Sequence, residues 1–140
     1  MGGAARRATR KILGIILGIL VALLILWVAG YLYPVPDLES ADPAALAAVV
    51  GSMSMTATLL VALGWLVGPL AGAWLALRVS DWRAAGWIVA LVVLVDSIAN
   101  IMTLPHPYWM QACAVALPLL GGALAIRVHH KPYPGEPLLG

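Results

Sequence analysis

The chain has 140 residues, 63% of them hydrophobic and 10% charged, with a mean hydropathy of +0.99, far from the roughly one-quarter charged residues of a soluble domain. Its 8 Lys+Arg and 6 Asp+Glu leave a formal net charge of +2, too sparse for the dense basic face that nucleic-acid binding needs, so no nucleic-acid partner is expected. A single cysteine, Cys113, excludes an intrachain disulfide scaffold, and the apolar content excludes intrinsic disorder. The expected fold class is all-α, an integral membrane four-helix bundle with the lipid bilayer as its first partner.

A spanning helix needs about 20 mostly apolar residues, because a rise of roughly 1.5 Å per residue must cross about 30 Å of hydrocarbon. Residues 1–11 form a basic cytoplasmic N-terminus (Arg6, Arg7, Arg10, Lys11), and the first span runs from about Ile12 to Leu32. Basic residues before an apolar run also begin a secretory signal, and Val28-Ala29-Gly30 resembles a cleavage site. The run is too long for a signal, however, and Trp27, Tyr31 and Tyr33 suit the interfacial anchor of a retained helix.

Pro34 and Pro36 end the first helix, and Asp42-Pro43 then sets a capping residue before a proline at a first helical position. The stretch from Pro43 to Leu77 exceeds one perpendicular span. It reads as a short interfacial helix to about Gly51 and a break at Ser52-Met53-Ser54, with one long tilted helix as the alternative.

The second span covers about Met55 to Leu77, the third about Ala84 to Leu104 and the fourth about Tyr108 to Ile126. Residues 12–130 thus make one transmembrane domain. The proline-rich 131–140 segment cannot continue a helix and is expected to be a flexible cytoplasmic tail.

All 8 basic residues fall on one side of this arrangement: the four before the first span, Arg78 and Arg83 between the second and third, and Arg127 and Lys131 after the fourth. The first opposite loop carries Asp37, Glu39 and Asp42 instead. The positive-inside rule therefore places both termini in the cytoplasm and the Pro105-His106-Pro107 turn outside.

Gly64, Gly68 and Gly72, extended by Ala76, leave one face of the second span nearly without side chains, and Gly14, Gly18 and Ala22 make a shorter row in the first. Small residues let helix backbones meet in lipid. Packing of these two spans within one chain is the economical reading; a homo-oligomer interface is the alternative. Pro69 in the second span and Pro118, followed by Gly121-Gly122, in the fourth each remove an amide donor and predict kinks.

Asp96 is the one ionisable side chain deep inside a span, about 12 Å from the outer end of the third helix. A carboxylate there must take up a proton, pair with another group or face water. Asn100 and Thr103 follow at helical spacing toward His106, while Gln111, Thr56 and Thr58 are placed to close a small polar pocket. Two readings stand: a protonated Asp96 bonded to Asn100 that holds the bundle together, or a site for protons, cations or small solutes in a small transporter or channel.

His106 lies between two prolines without a nearby cysteine or second histidine, a poor metal site. His129 and His130 at the cytoplasmic exit read as surface residues, and Cys113 as a small buried hydrophobe. Trp65, mid-span, needs a helix contact or a polar partner for its indole. No serine, cysteine or histidine constellation suggests hydrolysis and no glycine-rich loop suggests nucleotide binding. No catalytic residue, metal or cofactor is implied; a small ligand is left unidentified.

The pattern Leu63-Gly64-Trp65-x-x-Gly68-x-x-x-Gly72-x-x-x-Ala76-x-Arg78, then Asn100 and Pro105-His106-Pro107-x-Trp109, resembles a group of small four-pass bacterial membrane proteins without an assigned activity. The resemblance covers about the second to fourth spans. It implies a bacterial inner-membrane location and marks Gly64, Trp65, Gly68, Gly72, Asn100, His106 and Trp109 as recurrent positions, with Asp96 outside the pattern. The expected role is a structural or accessory bundle rather than an enzyme.

Overall fold

The computed structural model describes residues 2–32 and 42–129. Five helices run in order: α1 Gly2–Tyr31, α2 Pro43–Gly51, α3 Met55–Ser80, α4 Arg83–Thr103 and α5 Tyr108–Val128. Four of them, α1, α3, α4 and α5, are long and apolar enough to cross a membrane. Expectations for Tyr33, Pro34, Pro36, Asp37, Glu39, His130, Lys131 and the 131–140 tail fall outside the described residues.

The edges differ from the hydropathy reading mainly at polar ends. Helix α1 begins at Gly2 and carries the basic stretch as helix, because Arg, Lys and Ala are good helix formers that need no apolar surroundings. Helix α3 extends to Ser80 and α5 to Val128. Pro69 and Pro118 both lie inside continuous helix.

The separation of α2 from α3 has a local cause. Pro43 stands at the start of α2, whose first turn closes with the Leu46 amide on the Asp42 carbonyl at 3.0 Å. At the far end the Ser52 hydroxyl donates to Val49 O at 2.7 Å, and its amide bonds Ala48 O and Val49 O, so the last carbonyls of α2 are satisfied. Ser54 then caps α3, accepting from the Ala57 amide at 3.2 Å. The single tilted helix is replaced by two helices.

At its other end α3 stops on Asp81, which takes the left-handed conformation with φ 49° and returns its amide to Leu77 O. Arg10 of α1 donates from Nε and Nη2 to Val79 O at 3.2 and 3.1 Å, filling another orphan carbonyl of that last turn. Lys11 lies 4.8 Å from the ring centroid of Trp82. The start of α1, the end of α3, the start of α4 and the end of α5 share this basic end of the bundle. The opposite end holds α2 and the 104–107 turn.

Helix α3 occupies the centre and touches α1, α4 and α5, while α1 and α5 have no close approach to each other. The α1 contact runs antiparallel along two small-residue rows. Gly14 meets Ala76, Gly18 meets Gly72, Ala22 meets Gly68, and Ala29 meets Gly64. A methyl added to Gly18 would stand 2.5 Å from the Gly72 carbonyl oxygen, and one added to Gly72 would run into the Gly18 carbonyl. Only glycine permits that approach. The large apolar residues of α1, such as Ile12, Ile16, Leu20 and Leu24, face outward, as they do where lipid is the solvent.

The two final glycines of the proline segment in α5 are also contact residues. A Cβ on Gly121 would lie 2.6 Å from Leu66 O and 2.9 Å from the Pro69 ring, and one on Gly122 would lie 2.5 Å from the Ala90 Cβ. Gly121 therefore seats α5 on the proline turn of α3, and Gly122 seats it on α4.

Gly18→Ala should destabilise the protein by about 1–3 kcal/mol, since the neighbouring atom is backbone and the helices must part. Gly30→Ala, at a position with no atom within 4 Å, should be neutral or slightly stabilising. Thermal melts of both variants in one detergent check the contrast, and equal losses would remove the glycine contact as its cause.

Candidate functional site

At the α2 end, a cleft of about 110 Å³ opens between α1, α2, α3 and α4. Leu26, Ala29 and Gly30 form its α1 wall, Val49, Val50 and Met53 its α2 side, and Val61 and Trp65 its α3 wall. Asp96, Asn100, Leu104 and His106 complete it. The volume is that of a few water molecules or one small solute. Helix α2 approaches no long helix closely with its backbone, so it borders the cleft through side chains.

The polar groups differ in exposure. Asp96 is exposed, Asn100 one turn along α4 is half-buried, and His106 is 7% exposed. Beside His106, Trp65 is 2% exposed, with ring centroids 6.1 Å apart and planes tilted by 56°. Trp65 also packs with Ala62, Met110 and Ala114, which supplies the helix contact a mid-span indole requires.

His106 Nδ1 lies 2.8 Å from Leu104 O. A carbonyl only accepts, so Nδ1 carries the proton in this contact and Nε2 of the neutral ring is left as an acceptor. Gln111 Nε2 donates to the His106 carbonyl at 3.0 Å, fixing the turn from α5.

The expected polar stripe is therefore only partly assembled. Asp96, Asn100 and His106 line one cleft. Thr103 is exposed, and its hydroxyl bonds back to Ala99 O and Asn100 O at 3.1 and 3.0 Å. Thr58 likewise bonds back to Met55 O at 2.9 Å, and Thr56 is exposed. Gln111 acts on the turn behind the cleft rather than lining it. The back-bonding available to a helical threonine accounts for both threonine corrections. The proposed Asp96–Asn100 strut is not formed either: Asn100 Oδ1, the acceptor a protonated Asp96 would use, is buried without a hydrogen-bond partner.

Ser97, beside Asp96, was not among the candidate residues. It is fully buried, and its hydroxyl lies 2.6 Å from Ala114 O on α5 and 2.9 Å from Leu94 O on its own helix. Ala114 precedes Pro118 by four residues, so its carbonyl is the one left without an amide donor. The bond across the helices supplies that donor. The signal in the sequence was the pairing of a proline-freed carbonyl with a serine on the neighbouring span.

At the basic end, His129 is a contact residue rather than a surface one. Its side chain is 7% exposed and its Nε2 lies 3.4 Å from Asp81 Oδ1. Cys113 is free and half-buried. Among the described residues no group of three His, Cys, Asp or Glu side chains could hold a metal ion.

No family model matches the chain, and neither a curated protein nor a solved structure does. The geometry of the bundle and its cleft thus carries the functional reading.

Ser97→Ala should lower stability by about 1 kcal/mol, because Ala114 O is left unpaired. In the double variant with Pro118→Ala, which restores an amide donor to that carbonyl, part of this loss should disappear. A thermal double-mutant cycle measures the coupling; strictly additive losses would show that Ser97 does not serve the proline-freed carbonyl.

Proposed function

We propose that this protein is a non-catalytic accessory bundle of a bacterial inner membrane, with both termini in the cytoplasm and the α2 end outside. The charge distribution supports the orientation: every basic side chain among the described residues belongs to the end opposite α2. In that orientation α2, with Pro43 at its start and the break at residues 52–54 after it, lies in the outer interface. The bacterial inner membrane is assigned on the sequence resemblance of the Gly64-Trp65 helix and the Pro105-His106-Pro107 turn alone.

The observation that carries the accessory reading is the closed basic half. Ala73, Ala76, Leu77, Ala85, Val89 and Val93 are all at 0% exposure there, and α1 is pressed on α3 at Gly18 and Gly72. The cleft ends at Leu26, Trp65 and Asp96. It is a blind vestibule with no polar continuation toward the cytoplasm. Because α1 covers the glycine row of α3, that row holds the chain together, and association with a further copy or another protein has to use the outer faces of the helices.

A C-terminal alkaline phosphatase fusion should be inactive and a C-terminal fluorescent protein fusion bright; the reverse pattern would overturn the orientation. Liposomes containing the protein should show no proton or cation flux above protein-free vesicles at two pH values. Flux that disappears in a folded Asp96→Asn variant would replace the accessory reading with a transporter or channel working through the Asp96–Asn100 face.

A further inference from the structure

The cleft combines an anionic side chain, Asp96, with acceptor atoms that find no donor within the chain. The Asp96 carboxylate has no basic residue within ion-pair distance among the described residues. Asn100 Oδ1 is buried and partnerless. The His106 ring spends its proton on Leu104 O, leaving Nε2 with a lone pair. Beside them stands the Trp65 ring, whose face attracts cations.

A buried acceptor without a donor is unfavourable, and a carboxylate gains from a cation beside it. The arrangement suits a donor-rich, positively charged guest. We propose that the cleft binds the primary ammonium group of a small amine, whether a free amine or the headgroup of an aminophospholipid. An –NH3+ group carries three donors, no acceptor and one positive charge, so it complements the Asp96 carboxylate and the acceptor atoms of Asn100 and His106 that line the same cleft.

Competing guests fit the lining less well. A phosphate or carboxylate would meet the like charge of Asp96 and the acceptor atoms of Asn100 and His106. A transition metal would find one carboxylate and one imidazole, short of the three protein ligands usual for zinc. A quaternary ammonium brings charge to Trp65 but no N–H for the acceptors. The volume of about 110 Å³ limits the guest to a small head, and the apolar wall of Leu26, Ala29, Val50 and Val61 strengthens the polar contacts by excluding water.

The test uses the full-length protein in nanodiscs of phosphatidylcholine, titrated with ethanolamine and with choline and followed by ligand-observed NMR. Ethanolamine should bind saturably and at least tenfold more tightly than choline. Both Asp96→Asn and Asn100→Ala should weaken ethanolamine at least tenfold, with circular dichroism melts certifying folding. If Asp96→Asn does not fold, Asn100→Ala and the wild-type preference for ethanolamine over choline carry the test. Protein extracted from vesicles of equal phosphatidylethanolamine and phosphatidylcholine is then analysed by native mass spectrometry. Retention of phosphatidylethanolamine by wild type, lost in Asn100→Ala, assigns the ammonium to lipid; saturable ethanolamine binding without that retention assigns it to a free amine. Equal binding of ethanolamine and choline, undiminished binding by the folded variants, or neither ethanolamine binding nor lipid retention would overturn the proposal.

Discussion

The approach of α1 to α3 at Gly18 and Gly72 is the constraint from which the rest of the bundle follows. In lipid, apolar side chains gain nothing by leaving their surroundings for another helix, so two spans associate through close packing and weak backbone contacts. Each of these glycines lies against the other's carbonyl oxygen, and Val89 of α4 closes over the pair. The contact continues from Gly14 opposite Ala76 to Ala29 opposite Gly64. This register brings Leu26, Ala29 and Gly30 of α1 level with Val61 and Trp65 of α3, and so builds two walls of the cleft.

The rotation of α4 is set by a second interaction, between polar groups. Ser97 points at Ala114 O on α5, where Pro118 has removed the ordinary donor. Successive helical residues are about 100° apart, so seating Ser97 against α5 sets Asn100 about 60° and Asp96 about 100° to one side of it, the side on which both line the cleft. The proline thus has a consequence one helix away: the carbonyl it frees locates the hydroxyl that orients the carboxylate. On the other side of α5, Gly121 receives the Leu66 carbonyl and the Pro69 ring, so both intramembrane prolines are met by residues chosen for them.

Much of this was legible in the chain. Hydropathy and the basic residues locate the four long helices, the Asp42-Pro43 pair locates α2, and the two small-residue rows give both the partner and the register of α1 and α3. The partner choice of individual polar side chains was harder to read. Asn100 and Thr103 are three residues apart, yet Thr103 bonds to its own backbone while Asn100 lines the cleft, and sequence spacing does not distinguish the two. Gln111 is near His106 but grips its carbonyl from behind. Ser97 looks unremarkable until the proline on α5 is aligned with it, which depends on how α4 and α5 slide along each other and not on local pattern. The role of Gly121 and Gly122 depends on that same alignment.

The central contact can be measured in native membranes by joining α1 to α3 covalently. In a Cys113→Ala background, cysteines are placed at Ala29 and Gly64, where a Cβ on residue 64 would lie 3.0 Å from that of residue 29, so that a slight parting of the helices gives the roughly 3.5–4.5 Å a disulfide spans. Mild oxidation should give a rapid cross-link within single chains, seen as faster migration at monomer mass on a non-reducing gel and abolished by reductant. Cross-linked dimers in place of that species would show that the glycine row joins two copies. No cross-link of either kind would show that α1 does not lie on α3 in this register.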